Sequence, residues 1–265
     1  MIWDEITQKD LEDLDPKTVA ILPVGSIEGH GPHLPLGTDY LDVLKIAIEA
    51  AKKTGSLVLP PITYGFAAES KHFPGTISLR AETFLNLLQD VCDEVARNGF
   101  TKILILNGHG GNRRILWAFT KVILNQEKDY FVYVSLSPFK SFQEIFEAMR
   151  ETKIVGHAGE LETSLILYMY PELVKLDRIV GEGEIGDVSI QDNPRVIPLS
   201  DTVSLTDWPG YCKEGYIGDP RKASVEKGEK MVKKWIDTVV EIINLIKKDE
   251  KSEKAMKEYR TRRRR

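Results

Sequence analysis

The chain has 265 residues, 42% hydrophobic and 29% charged. That is the balance of an ordinary globular protein with enough chain for a sizeable core. With 36 Lys and Arg against 40 Asp and Glu, its formal charge of −4 gives no global attraction to nucleic acid or an anionic membrane. No apolar run reaches membrane-spanning length, and the N-terminal MIWDEI lacks the basic start and apolar stretch of a secretion signal, so the expected location is the cytoplasm. Cys92 and Cys212 lie too far apart for a paired zinc or redox motif.

In chain order, residues 18–24 (TVAILPV) form a continuous apolar, β-branched run, the pattern of a buried parallel strand. A helix is predicted over 40–53, with Leu41, Leu44, Ile46 and Ile48 on its buried face. A short strand follows at 56–59. Residues 81–98 carry helical periodicity through Phe84, Leu87, Leu88, Val91 and Val95, with Cys92 on the apolar side, and stop at Gly99. Residues 102–106 (KILIL) predict a third strand, 112–125 a helix, and 130–136 (YFVYVSL) a fourth strand. Helices are expected at 141–150 and 160–170. Between 177 and 218 the pattern loosens into Gly, Asp, Pro and Ser with short strand-like pieces. A long amphipathic helix then covers 224–247, and 248–265 reads as a solvated, partly disordered charged tail ending in four arginines. Strands alternating with helices imply an α/β domain over residues 1–247, with a mostly parallel sheet covered on both faces.

All five histidines lie between His30 and His157, in short segments crowded with Gly, Pro and acidic residues. Imidazole and carboxylate together suit zinc, manganese or iron. In residues 25–39 (GSIEGHGPHLPLGTD), Glu28 and His30 are one residue apart and project to the same side of an extended loop. Asp39 precedes a predicted helix, so it can cap that helix or bind metal; beside Glu28 and His30 the metal role is favoured. His33 is expected near the ligands or on the surface. Residues 107–112 (NGHGGN) place His109 in a glycine turn after a buried strand. Gly110, Gly111 and Asn112 lead into a helix whose backbone N–H groups could meet a phosphate or a substrate oxygen. Residues 157–164 (HAGELETS) join His157 to a helix start carrying Glu160 and Glu162, where acidic residues are also common for electrostatic reasons. The first and second motifs follow predicted parallel strands, so they should meet at the carboxyl edge of one sheet.

These segments, together with 73–79 (FPGTISL) and 215–220 (GYIGDP), resemble the creatininase, or creatinine amidohydrolase, family over most of the chain. The resemblance implies a three-layer α/β/α sandwich, two divalent metal ions per subunit, hydrolysis of amide C–N bonds and a homohexamer. It matches Glu28, His30, Asp39 and His109 to metal ligands, with Asp39 as the carboxylate bridging two ions. Zinc is the first expectation; manganese and iron are the alternatives. Where creatininase has a further glutamate ligand, this chain has Gly111, and Glu162 is taken as its replacement. His157 matches the family's catalytic histidine and would shuttle a proton to the leaving nitrogen, with a role in orienting a ligand as the alternative. His72, Ser78, Gly110 and Asn112 are expected around the substrate, with Glu69 a weaker candidate.

No tryptophan lies between Trp117 and Trp208, whereas creatininase closes tryptophans over its substrate ring, so creatinine is not the expected substrate. The pattern looks closer to the branch containing deformylases of formamidopyrimidine nucleotides and peptidases of cofactor maturation. The leading expectation is a metal-dependent amidohydrolase acting on a small molecule. A nucleotide deformylase, a peptidase and a non-catalytic metal- or ligand-binding protein are the alternatives.

Overall fold

A computed structural model describes residues 1–181 and 212–263. The chain runs α1 (Gln8–Glu12), β1 (Ala20–Val24), α2 (Thr38–Thr54), β2 (Leu57–Val58), α3 (Ala81–Arg97), β3 (Lys102–Asn107), α4 (Arg113–Asn125) and β4 (Phe131–Ser135). It continues through α5 (Phe139–Met149), α6 (Glu160–Met169), α7 (Val225–Lys247) and α8 (Lys251–Arg263). The four strands are parallel in the order β2-β1-β3-β4.

Period-two alternation splits each central strand between two cores. Ile21 of β1 with Leu104 and Leu106 of β3 face α2, α5, α6 and α7. Ala20, Leu22 and Val24 with Ile103 and Ile105 face α3 and α4. A strand covered on both sides has no polar face, which is why β1 and β3 read as unbroken apolar runs. Phe84, Leu88 and Cys92 recur every fourth residue of α3 and are fully buried; each large side chain so covered contributes about 1.5–3 kcal/mol. The result is the three-layer α/β/α sandwich expected.

α7 crosses α6 closely because residue 228 is glycine: a Cβ there would lie 2.0 Å from Ser164 O. Ser224 caps α7, its side chain accepting from Lys227 N–H at 3.2 Å. Among the described residues no helix is long and apolar enough to cross a membrane.

The tail departs from expectation. Instead of a loose segment, Lys251–Arg263 is helical. Lys, Glu, Ala, Met and Arg are strong helix formers, Ser252 N–H donates to Asp249 Oδ1 at 3.0 Å, and Glu253 lies 3.3 Å from Lys102 Nζ. Arg264 and Arg265, and most of the loosely patterned stretch from 177 to 218, lie outside the described residues.

Candidate metal centre

β1 and β3 are neighbours, with Val24 opposite Asn107, so the loops after them leave together at the carboxyl edge, where open parallel sheets bind ligands. The first loop delivers Glu28 and His30. Its path is held by Glu28 N–H donating to Leu36 O and Gly29 N–H to Thr76 Oγ1, both at 3.0 Å. Asp39 lies in the first turn of α2, but Gly37 occupies the cap position, and the Asp39 carboxylate meets His30 and His109. After β3, the Asn107 side chain folds the turn that presents His109: Nδ2 donates to His109 O at 2.7 Å and Oδ1 accepts from His109 N–H at 3.2 Å. His157 lies in the loop just before α6 and Glu162 in its first turn, with α5 between β4 and this segment in chain order.

These six side chains converge. His30 Nε2 lies 3.3 Å from Asp39 Oδ1, 3.9 Å from Glu162 Oε2 and 4.0 Å from Glu28 Oε1. His109 Nδ1 lies 2.8 Å from Asp39 Oδ2 and 3.3 Å from Glu28 Oε1. His157 Nδ1 lies 3.6 Å from Glu28 Oε1. Three overlapping groups result: Glu28–Asp39–His109, His30–Asp39–Glu162 and Glu28–His30–His157. Within each, the ligand atoms lie within 4.8 Å of one another.

Backbone carbonyls orient all three rings. Glu28 O takes His30 Nδ1 at 3.1 Å, Phe66 O takes His109 Nε2 at 3.1 Å, and Gly29 O takes His157 Nε2 at 2.7 Å. A carbonyl only accepts, so those nitrogens carry hydrogen and the opposite nitrogens face the carboxylates, as in metal-binding histidines. Glu28 Oε1, His30 Nε2 and Asp39 Oδ2 are buried without a hydrogen bond. Buried polar atoms are nearly always partnered, so three such atoms converging fit a cation.

Charge reinforces the arrangement. Burial alone would raise the carboxyl of Glu28, but His109 and His157 hold it below its ordinary range. Asp39 is lowered likewise: His30 and His109 outweigh its burial. Burial would lower His30, yet Asp39, Glu28 and Glu162 lift it to about 10. His109 rises well above its ordinary value for the same reason, through Glu28 and Asp39. His157 falls to about 4, driven by burial and the positive charge of His30. Burial, with repulsion from Asp39 and Glu28, pushes Glu162 up to about 7 although His30 opposes it. Asp42, one turn beyond Asp39, is buried with Oδ1 unpartnered, and burial beside Asp39 and Glu162 raises it well above the usual carboxylate range.

The remaining sequence candidates occupy other positions. His33 is buried and engages Thr163 Oγ1 at 2.9 Å. His72 is exposed, its ring 4.0 Å from that of Phe73. Ser78 Oγ accepts from Ala67 N–H at 3.0 Å and donates to Leu79 O at 3.3 Å. Gly110 is exposed. Asn112 is buried; its Nδ2 donates to Gly25 O at 3.0 Å and Asn107 Oδ1 at 3.2 Å, while Oδ1 accepts from Phe66 N–H at 2.9 Å. At Gly111 a Cβ would lie 2.5 Å from both His109 Nε2 and Phe66 O, and 2.9 Å from Glu69 Oε1. A side chain there collides with the bond that orients His109.

Sequence reasoning missed Ser70, whose hydroxyl donates to Glu28 Oε2 at 2.7 Å. It also missed the buried pair Glu160 and Lys227, 2.6 Å apart. Lone serines, and acids at a helix start, give no signal of such long-range partners.

The family model for creatininase, creatinine amidohydrolase, matches residues 4–243. The chain belongs to the creatininase family. It is a hydrolase of that family. It is 30% identical over 240 residues to a creatinine amidohydrolase of Pseudomonas putida, covering 85% of this chain and 88% of that one. A 3-dehydro-scyllo-inosose hydrolase of Thermotoga maritima is 29% identical, over 91% of this chain and 82% of its own. A mycofactocin precursor peptide peptidase of Mycolicibacterium smegmatis is 28% identical, over 87% and 85%. Among solved structures, a mutant creatininase of the Zn-Zn type superposes with a TM-score of 0.78 and a manganese creatininase with 0.76. Both are 29% identical to this chain and cover 91% of it and 96% of their own. These neighbours support divalent-metal binding, and the buried acidic and histidine groups described above could hold such an ion.

Proposed function

We propose that the chain hydrolyses an amide C–N bond of a small molecule with two divalent ions at this centre. Zinc is the first candidate, and manganese or iron the alternatives. The observation that carries the reading is the division of Asp39: Oδ2 faces His109 and Oδ1 faces His30. Glu28, Asp39 and His109 would hold one ion; His30, Asp39 and Glu162 would hold the other.

Ions bound here supply polarisation of the substrate carbonyl and a lowered pKa for the attacking water. The chain supplies the rest. Its buried carboxylates and rings fix the site in a low-dielectric wall, and Glu162, with 28% of its side chain exposed, marks the side from which substrate enters. His157, fixed through Nε2 on Gly29 O, presents Nδ1 to the centre, where it takes a proton from water and passes it to the leaving nitrogen. Creatinine is not the proposed substrate, because no tryptophan lies between Trp117 and Trp208 to close over its ring. On this reading the chain is a single cytoplasmic domain that assembles as a homohexamer, in line with its family relationship.

Elemental analysis of anaerobically purified protein beside Glu162→Ala, followed by an amide panel with creatinine as control, tests this. About two ions in the parent and about one in the variant, with turnover of a non-creatinine amide, are expected. One ion or fewer in both proteins overturns the two-metal site.

A further inference from the structure

The ligands differ in depth. Glu28, His30, Asp39 and His109 form a buried floor, whereas Glu162 is partly exposed and stands with His157 on the open side. Both outer residues belong to the segment 157–162, which no strand supports. A buried carboxylate that the catalytic reading leaves unused holds this segment.

Glu160 opens α6 with 1% of its side chain exposed. It accepts from Glu151 N–H at 3.0 Å, Thr152 N–H at 2.9 Å, Thr152 Oγ1 at 2.7 Å and Lys227 Nζ at 2.6 Å. Lys227 Nζ also donates to Glu151 Oε1 at 2.7 Å and Lys222 O at 2.8 Å. Every partner is satisfied, the condition under which a buried ionic network rigidifies its surroundings. The carboxylate reaches from the end of the loop back to its beginning and so closes residues 151–160 into a ring. Inside that ring, Ala158 adopts φ 51, a conformation that a Cβ disfavours and that persists only where its surroundings over-determine it. Ala158 N–H donates to Glu162 Oε2 at 2.5 Å, and Ile217 N–H holds His157 O at 2.7 Å.

We infer that Glu160 is a positioning residue for the outer half of the metal centre: by clamping residues 151 and 152 it sets Glu162 Oε2 toward the cation shared with His30 and Asp39, and His157 Nδ1 toward Glu28 beside it. The inference rests on the two-metal reading above.

Cobalt(II) titration of the full chain, read by visible absorption and run beside a melting curve, provides the test. In the parent, two cobalt equivalents bind. Glu160→Gln should stay folded and keep the first equivalent, held by the buried floor. It should bind the second about tenfold or more weakly, with a shifted absorption band, as loss of a ligand-orienting contact does. Thr152→Val removes one clamp bond without touching a charge and should move the second equivalent in the same direction. Lys227→Met breaks the ion pair but leaves the three loop bonds; it should lower the melting temperature and keep both cobalt affinities. Folded Glu160→Gln and Thr152→Val proteins with the parental second affinity and spectrum overturn the clamp, with the metal reading intact. So does a Lys227→Met protein that loses the second ion as Glu160→Gln does. Should Glu160→Gln not fold, Thr152→Val decides. A parent that takes up no cobalt removes the metal reading and the clamp together.

Discussion

Ser70 Oγ donates to Glu28 Oε2 at 2.7 Å, while Oε1 of the same carboxylate makes no hydrogen bond and faces His109 and His157. One oxygen is therefore anchored by the protein and the other is left for a cation. In Ser70→Ala the anchored oxygen becomes a buried, unpartnered acceptor, costing about 1–3 kcal/mol, and Glu28 is free to rotate. Metal affinity should fall about 10–100-fold. Competition with a colorimetric chelator would measure it; parental affinity in a folded variant would refute the anchoring role.

The paired glycines after His109 separate two physical effects. A Cβ at Gly110 meets nothing within 4 Å, whereas at Gly111 it meets His109 Nε2 and Phe66 O. Gly110→Ala should be neutral or stabilise by up to about 1 kcal/mol through the unfolded chain. Gly111→Ala should displace the His109 ring and lose metal. Melting curves with metal analysis on both variants distinguish these outcomes; equal behaviour would show that the turn is plastic.

Asp39 serves two ligand groups and Glu162 one, so their removal should differ in kind. A ligand at a hundredfold above its dissociation constant stabilises the folded state by about 2.7 kcal/mol, and added zinc or manganese should raise the parent's melting temperature by several degrees. Asp39→Asn should abolish that rise, while Glu162→Ala should retain part of it. A full metal-dependent shift in Asp39→Asn would dismiss the bridging role.

Burial, with the neighbouring charge of Asp93, pushes the Cys92 thiol up to about 12. At pH 8 the native thiolate is then on the order of one part in ten thousand, so iodoacetamide should label Cys92 only after denaturation. The same shift has a sign in stability. An unfolded thiol ionises near about 8.5, so above that pH the unfolded chain holds fewer protons than the folded one. Stability should fall with rising pH by up to about 1.4 kcal/mol per unit until about pH 12. Urea midpoints at pH 8 and pH 10 should show this loss in the parent and a smaller one in Cys92→Ala; identical slopes would contradict it.

Much of the fold was readable because the sheet is buried on both faces. β1 and β3 show as unbroken apolar runs, and α3 shows through its fourth-residue spacing. The short helix α1 was not predicted, although its capping box, Thr7 with Asp10, was available in the sequence. α8 is masked in the sequence by its density of charge, although Lys, Glu, Ala, Met and Arg favour a helix there. At the centre, Glu28, His30, Asp39, His109, His157 and Glu162 stood out as acids and imidazoles among glycines, and the structure brings them together. Ser70 and Lys227 were invisible because their importance lies in partners 42 and 67 residues away, and nothing local to a serine or lysine encodes such a partner.

The three backbone carbonyls that hold His30, His109 and His157 belong to Glu28, Phe66 and Gly29, so each bond is made within the chain. Bonds of this kind would keep the rings aimed when a metal is stripped. The protein should therefore reload without refolding, and loading should pay little reorganisation energy. On the proposed reading, the centre would be a mould cast by the backbone, with an ion as its filling rather than its framework.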